Sequence, residues 1–267
     1  MKVLSLTALT LGLVAFSAAP TAIASSKVTV DANYEISIAG WAIAKASLDF
    51  SMSGDRYEAD LFMRPKGVAK IVTAVRTSVQ AEGRVKGGKV LPTRYNVKAD
   101  ETRRPVRVNM TLRSGNVSKL NARPKLKKLD GRVPITNAHR RSIVDPLSSG
   151  LLPIRTANGR DACDRTLNIF DGWTRYDVRL YYKGTRSVST KGYRGKAVVC
   201  GARWIPVAGH RPHKKEVRYL ANNKRLEMTV IPLPAAGVAI PYSVSIGTPN
   251  GEIRIEPSKM SISGAGV

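Results

Sequence analysis

The sequence predicts an all-β fold: a large curved antiparallel sheet rolled into an open barrel or β-spiral, with one or two short helices. Three observations predict it. Apolar and polar residues alternate along run after run of the chain, which is the period of a half-buried strand. Glycine-bearing turn dipeptides separate these runs. Very little of the sequence carries the 3.6-residue period of a helix, and strands joined in sequential hairpins make one antiparallel sheet. A sheet of that size must close, roll or cover its edges.

Val28, Val30, Ala32, Tyr34, Ile36 and Ile38 form the first alternating face, ended by Gly40. Ala42, Ala44, Ala46, Leu48 and Phe50 continue it, and their small size suggests a crowded or strongly curved sheet. Ser53-Gly54-Asp55 turns the chain, and Tyr57, Ala59, Leu61 and Met63 return on one side. Residues Gly67–Val75 fit both a helix face and a β-branched strand, so a short helix or bend leads into a strand ending at Val85. Gly87-Gly88 signals a hairpin into Val90–Lys98, and a charged turn follows at Asp100–Arg104. Val106, Val108, Met110 and Leu112 alternate, Ser114-Gly115 turns, and Val117–Ala122 pairs back.

Residues 123–150 interrupt the pattern with Pro124, Pro134, Pro146 and a basic run. Asp145-Pro146 fits a helix cap followed by proline at the first helical position, which predicts one short helix over Asp145–Leu152 lying across a sheet. Strands resume at Arg165–Phe170 and Trp173–Tyr182 around Asp171-Gly172, read as a two-residue hairpin loop. That register sets Phe170 opposite Trp173 and Leu167 opposite Tyr176, with Leu167, Ile169, Tyr176 and Val178 on one face. Lys196–Val207, Arg225–Ile231 and Ile240–Ile246 follow, and Asn250-Gly251 leads into Glu252–Ile262. Residues 25–262 are read as a single β-rich domain and 263–267 as a flexible tail.

The first 24 residues read as a signal peptide. Met1-Lys2 is a positive start, Val3–Phe16 is apolar, and Ala22-Ile23-Ala24 presents small residues at the −3 and −1 positions of a cleavage site. The alternative, an uncleaved anchor, needs roughly 20 apolar residues, more than this run supplies. The mature chain is therefore expected in the periplasm or secreted. Its formal charge falls from +25 to +24 as Lys2 leaves. Such an excess attracts polyanions, which outside the cytoplasm are lipid head groups, lipopolysaccharide and wall polymers; no nucleic-acid partner is expected. A high charge also serves plain solubility. The two cysteines, Cys163 and Cys200, are expected to pair in an oxidising space, with two buried thiols as the alternative.

No catalytic constellation stands out, and no cofactor or metal is expected. The chain lacks a G-x-S-x-G elbow and a C-x-x-C pair, and its histidines are His139, His210 and His213. Asp161, Asp164 and Asp171 could form a carboxylate pair for sugar hydrolysis. Turn and hairpin roles explain them better, Asp164 facing Arg179 in the register above. Candidate anion-binding residues are Arg123, Lys125, Lys127, Lys128, Arg140, Arg141, Arg211, Lys214 and Lys215. Charge runs usually just face water, and these become a site only if the loops share one rim. Trp41, Trp173, Trp204, Tyr34, Tyr176 and Tyr182 fill a core or line an acyl pocket.

The stretches YEISIAG (34–40), DPLSSGLL (145–152), CDRTLNIFDGWTRY (163–176) and VVCGARWIPVAGHR (198–211) together resemble the uncharacterised exported domain-of-unknown-function family 3108, frequent in alphaproteobacteria. The resemblance covers most of the mature chain. It implies a periplasmic location and a β-rich domain, and carries no activity or catalytic residue with it.

The function expected is that of a non-catalytic envelope protein, peripheral to the membrane at most. Its rolled sheet would bind a lipid, acyl chain or lipoprotein segment. A basic interaction module for wall or lipopolysaccharide polyanions is the alternative, and an envelope hydrolase the least favoured. N-terminal sequencing of protein recovered from the expressing organism is expected to begin at Ser25; an intact Met1 start would remove the export reading.

Overall fold

The computed structural model describes residues 27–67, 75–100, 105–126 and 131–264. The signal segment, most of the Gly67–Val75 stretch, most of the Asp100–Arg104 turn, and Lys127 and Lys128 lie outside the described residues. Seven strands come first: β1 (Lys27–Ile38), β2 (Trp41–Ser53), β3 (Arg56–Pro65), β4 (Arg76–Lys86), β5 (Lys89–Asp100), β6 (Val106–Arg113) and β7 (Asn116–Arg123). The second half holds β8 (Leu152–Pro153), β9 (Arg165–Phe170), β10 (Arg175–Thr190), β11 (Tyr193–Ala208), helix α1 (Lys215–Asn222), β12 (Leu226–Leu233), β13 (Val238–Thr248) and β14 (Gly251–Ser263). All pair in one antiparallel sheet of order β7-β6-β5-β4-β3-β2-β1-β14-β13-β12-β11-β10-β9, with β8 added beside β13. The sheet does not close on itself. The first strand and the last lie side by side in its middle, and β7 and β9 are its two edges.

The alternation read from the sequence sets the inner face. Val28, Val30, Ala32 and Tyr34 of β1 are buried, as are Phe50 and Met52 of β2 and Tyr57 and Ala59 of β3. They meet Ile231, Leu233, Val238, Ile240 and Met260 from the other half, so side chains fill this part of the interior. A second cluster surrounds the Cys163–Cys200 disulfide and includes Leu152, Leu180, Val198 and Val230. A third gathers Val79, Val108, Met110 and Leu112 of the first half around Ile143 and Phe170 of the second. Burying a side chain of this size contributes about 1.5–3 kcal/mol. The disulfide ties the entry of edge strand β9 to β11 across a sequence separation of 37. Closing a loop of that length contributes about 4 kcal/mol in the chain-entropy model.

The residues between β7 and β9 lace the two edges. Ile143 donates its backbone N–H to Gly115 at the β6–β7 turn (2.8 Å), and Ser142 N–H reaches the Asn116 side chain (3.1 Å). One residue later, Val144 bonds with Asn168 and Phe170 on the open side of β9 (2.8 and 3.0 Å). A single strand-like step thus connects edges that do not bond to each other directly.

Four local expectations are corrected. Asp145–Leu152 is a 3-10 turn at Ser148–Gly150 rather than a helix, because Asp145 accepts from Leu147 and Ser148 and holds the chain tightly wound. The α-helix lies instead at α1, packed on β11. The β9–β10 connection is a four-residue loop, Asp171–Thr174, because the Asp171 carboxylate captures the N–H groups of Trp173 and Thr174. Phe170 therefore faces Arg175, Leu167 faces Val178, and Asp164 does not oppose Arg179, whose partner is Thr166. The shift is two residues, an even number, so the predicted shared face survives. Finally, Gly251 is the first residue of β14, and the turn before it is Pro249-Asn250. At the far end β14 runs to Ser263, paired with Thr29.

Asp145 is fully buried, and its Oδ2 has no partner. Burial pushes its carboxyl up to about 6, against hydrogen bonds from Ser148 and Leu147 that pull it down. Burial first, and in part the Asp145 charge, raises the phenols of Tyr57, Tyr95 and Tyr176; the Tyr57 hydroxyl donates to Ser148 Oγ (2.7 Å). The folded-state value lies above the unfolded one of 3.8. Stability linked to this proton is therefore complete below pH ~4 and lost as pH rises through about 6. Asp145→Asn keeps the two accepted N–H bonds and removes the charge. Urea unfolding is expected to show wild type losing about 3 kcal/mol relative to the variant between pH 4 and 7; a constant difference would refute the assignment.

Candidate functional site

Neighbouring antiparallel strands bring alternate turns to the same end of a sheet. One end of this roll carries the β1–β2 and β13–β14 turns, the C-terminus of β7, the Asp171–Thr174 loop, the C-terminus of β11 and the start of β12. Here the two edges come together a second time. The Trp173 indole N–H donates to the Pro124 carbonyl (3.0 Å). Gly172 (φ +104°) lies over Val108 and Ala122, and a β-carbon there would press on Val108 Cγ1 (3.2 Å). Val133 and Gly209 then join the two basic segments of the sequence: Gly209 N–H donates to the Val133 carbonyl (2.7 Å), and Val133 N–H to His210 (3.0 Å). Gly209 must be glycine, because its φ is +82° and a β-carbon would overlap the Trp173 carbonyl oxygen.

A hollow of about 510 Å³ opens at this junction. Its apolar wall is Leu120, Ala122, Leu126, Val133, Ile135 and Trp173; its cations are Lys125, Arg132 and Arg140. The Arg132 guanidinium donates to the Gly209 carbonyl. Among the described residues neither arginine meets a carboxylate, and the Nε of each is buried without a partner, as is Nδ1 of neighbouring His210. Partly desolvated positive charge without a counter-charge is costly to hold, and an anion from outside lowers that cost. Three described carboxylates at this end are engaged: Asp171 in its own loop, Asp177 with Arg175 and Asp100 with Arg107.

The candidate anion-binding residues divide. Lys125 and Arg140 line the hollow. Arg123 is exposed at the end of β7, two residues from Lys125, and Arg141 is exposed beside Arg140. Arg211 is half-buried just beyond His210. Lys214 and Lys215 lead away into α1, where they are exposed. The basic segment 209–215 is therefore not a loop standing free in water, since its first residues are backbone-paired and His213 packs against Gly131. Sequence reasoning missed Arg132 and placed Trp173 among the strand aromatics. The legible signal was the proximity of Arg132 to the proline-broken segment, which lies too far from Gly209 in sequence to be linked without coordinates. Asp161 accepts from Arg155 N–H and Thr156 Oγ1, a local structural role. Among the described residues, no group of three or more histidine, cysteine or acidic side chains is placed to hold a metal ion, and no helix is long and apolar enough to cross a membrane.

Fold and site together define an all-β, rolled-sheet protein with a cation-lined apolar hollow where its edges meet. The chain belongs to the family described as protein of unknown function (DUF3108), whose model matches residues 33–256. It is also similar to a solved beta-barrel-like protein of domain of unknown function DUF1849 from Brucella abortus, with 11% identity and a TM-score of 0.49 over 88% of this chain and 98% of that one. No curated protein matches the sequence.

Trp173→Phe keeps the ring against the junction and deletes the donor to Pro124. A stability loss of about 1 kcal/mol is expected in urea unfolding. No change would mean that the indole hydrogen bond does not help to hold the two edges together.

Proposed function

We propose that this protein is a non-catalytic envelope component that holds an anionic amphiphile at its basic end. Lys125, Arg132 and Arg140 would meet the phosphate or carboxylate, and the hollow walled by Leu126, Ile135 and Trp173 would take the apolar part. The carrying observation is the pair of guanidinium groups, Arg132 and Arg140, whose buried Nε atoms lack a partner among the described residues and which are set against an apolar wall. The volume falls within the range of roughly 300–1,000 Å³ that small-ligand sites occupy. Arginine suits the role because its planar fork matches phosphate and carboxylate oxygens. Export supports the reading: the N-terminal pattern fits a signal peptide, and the Cys163–Cys200 disulfide is consistent with an oxidising compartment outside the cytoplasm. Side chains fill the part of the roll between β1–β3 and β12–β14, which supports setting the ligand at the meeting edge in place of the lumen that the sequence suggested.

The alternative, a polyanion-binding surface with no acyl requirement, draws on the exposed Arg123 and Arg141 beside the hollow. Calorimetry separates the two. The purified exported protein is titrated with dihexanoyl-phosphatidylglycerol below its micellar concentration, with the phosphatidylcholine analogue, and with glycerol phosphate. Binding of the first alone is expected, weakened about tenfold or more by Arg132→Gln or Arg140→Gln. Equal affinity for glycerol phosphate, abolished by salt, would favour the polyanion surface. No binding of any of the three would overturn both.

A further inference from the structure

Trp41 is 71% exposed, more than any other large hydrophobic residue described. A single exposed apolar side chain is ordinary on a soluble protein, but the placement of this one is informative. It opens β2 at the same end as the hollow, directly opposite Ile38, which in turn faces Ile253 on β14. The ring therefore continues an apolar row of the inner face out past the rim. The turn beneath it is a two-residue hairpin: Ala39 and Gly40 both have positive φ (47° and 85°), and Ala39 N–H donates to the Glu252 carbonyl (3.0 Å). Strand β1 is seventh of the thirteen strands along the sheet path, midway between the two edges. In a rolled sheet that puts Trp41 across the mouth from the hollow.

Charge on the Trp41 side has the same sign as charge at the hollow. On the outer face, Lys45 stands between Glu35 and Arg64 on neighbouring strands, and Lys66 bonds to that same Glu35. With Glu256 of β14 opposite Glu35 on its other side, this patch sets three cations against two acids and keeps a positive excess. A partner that meets both sides of the mouth must be broad, negative, and apolar just below its surface. An anionic bilayer has all three properties, and tryptophan at such a surface seats its ring at the headgroup level.

We propose that this end of the rolled sheet docks on an anionic bilayer, with Trp41 as the interfacial anchor across the mouth from the hollow. The proposal rests on the preceding reading, since docking would bring the hollow to a surface made of its ligand.

The test compares wild type with Trp41→Ser, which removes a mostly exposed ring and should leave the melting temperature unchanged. Wild type is expected to float with phosphatidylglycerol–phosphatidylcholine vesicles and not with phosphatidylcholine alone. Lipids brominated near the headgroup should quench part of its tryptophan emission. Trp41→Ser should bind these vesicles roughly tenfold more weakly, the order expected for withdrawing one large apolar side chain. It should also lose the quenched component while keeping its affinity for dihexanoyl-phosphatidylglycerol. Vesicle binding or quenching equal to wild type would overturn the docking and leave the hollow standing. Soluble-lipid binding unchanged in Arg132→Gln, with quenching of Trp41 retained, would overturn the hollow and leave the docking. A wild-type dimer that Trp41→Ser dissociates, without vesicle binding by either, would assign the ring to a second copy of the chain and overturn the proposal.

Discussion

A sheet built as one antiparallel meander has two edges, and the backbone donors and acceptors along them must be paired, covered or hydrated. Here the chain ends supply the middle pair, β1 with β14, so the edges fall on β7 and β9, which are joined by the longest irregular segment. That segment does the covering. Ser142–Val144 bonds to the β6–β7 turn on one side and to β9 on the other. Farther along, Val133 bonds to Gly209 and His210 while Trp173 reaches Pro124. Between these contacts the edges have no ladder of their own, which leaves open volume where they meet. The hollow is a consequence of incomplete closure.

The same constraint explains where the unneutralised charge collects. Strand register sets some cations opposite acids on neighbouring strands, as with Arg94 and Glu82 or Lys45 and Glu35. An irregular segment has no such register. Among the described residues of this segment, Lys125, Arg132 and Arg140 reach the junction with no ion pair to a carboxylate. Most surface ion pairs contribute little to stability. The contrast matters for binding, because a guanidinium that no internal carboxylate answers keeps its full attraction for an external anion.

Periodic features were legible in the sequence, and relations between distant segments were not. Val28, Val30, Ala32 and Tyr34 announce a buried face because alternation is local. Gly87-Gly88, with both φ values positive, announces its hairpin for the same reason. The Asp171 loop was misjudged because a side chain, not the backbone preference of Asp-Gly, sets its length. Asp145 was recognised as a cap, but the extent of the turn it caps depends on Ser148 being held by Tyr57 from β3 (2.7 Å), a contact 91 residues away. At the candidate site, Lys125 and Arg140 could be named as cations. Nothing local shows that Gly209 is the joint bringing them to Trp173.

Cores at this packing density leave little room for a chain-like ligand, and here Val28, Val30, Ile231 and Leu233 meet across the inside of the roll. A protein with a filled lumen can still hold an amphiphile if its edge contacts leave a gap with both polar and apolar walls. Such a gap binds from the side and does not engulf its ligand. Its ligand must therefore be presented at a surface or leave part of itself in water. The disulfide fits this arrangement: Cys163 and Cys200 fasten the entry of β9 to β11, the two strands whose ends carry the Asp171–Thr174 loop and Gly209. The cross-link thus stands on the two strands whose far ends shape the hollow.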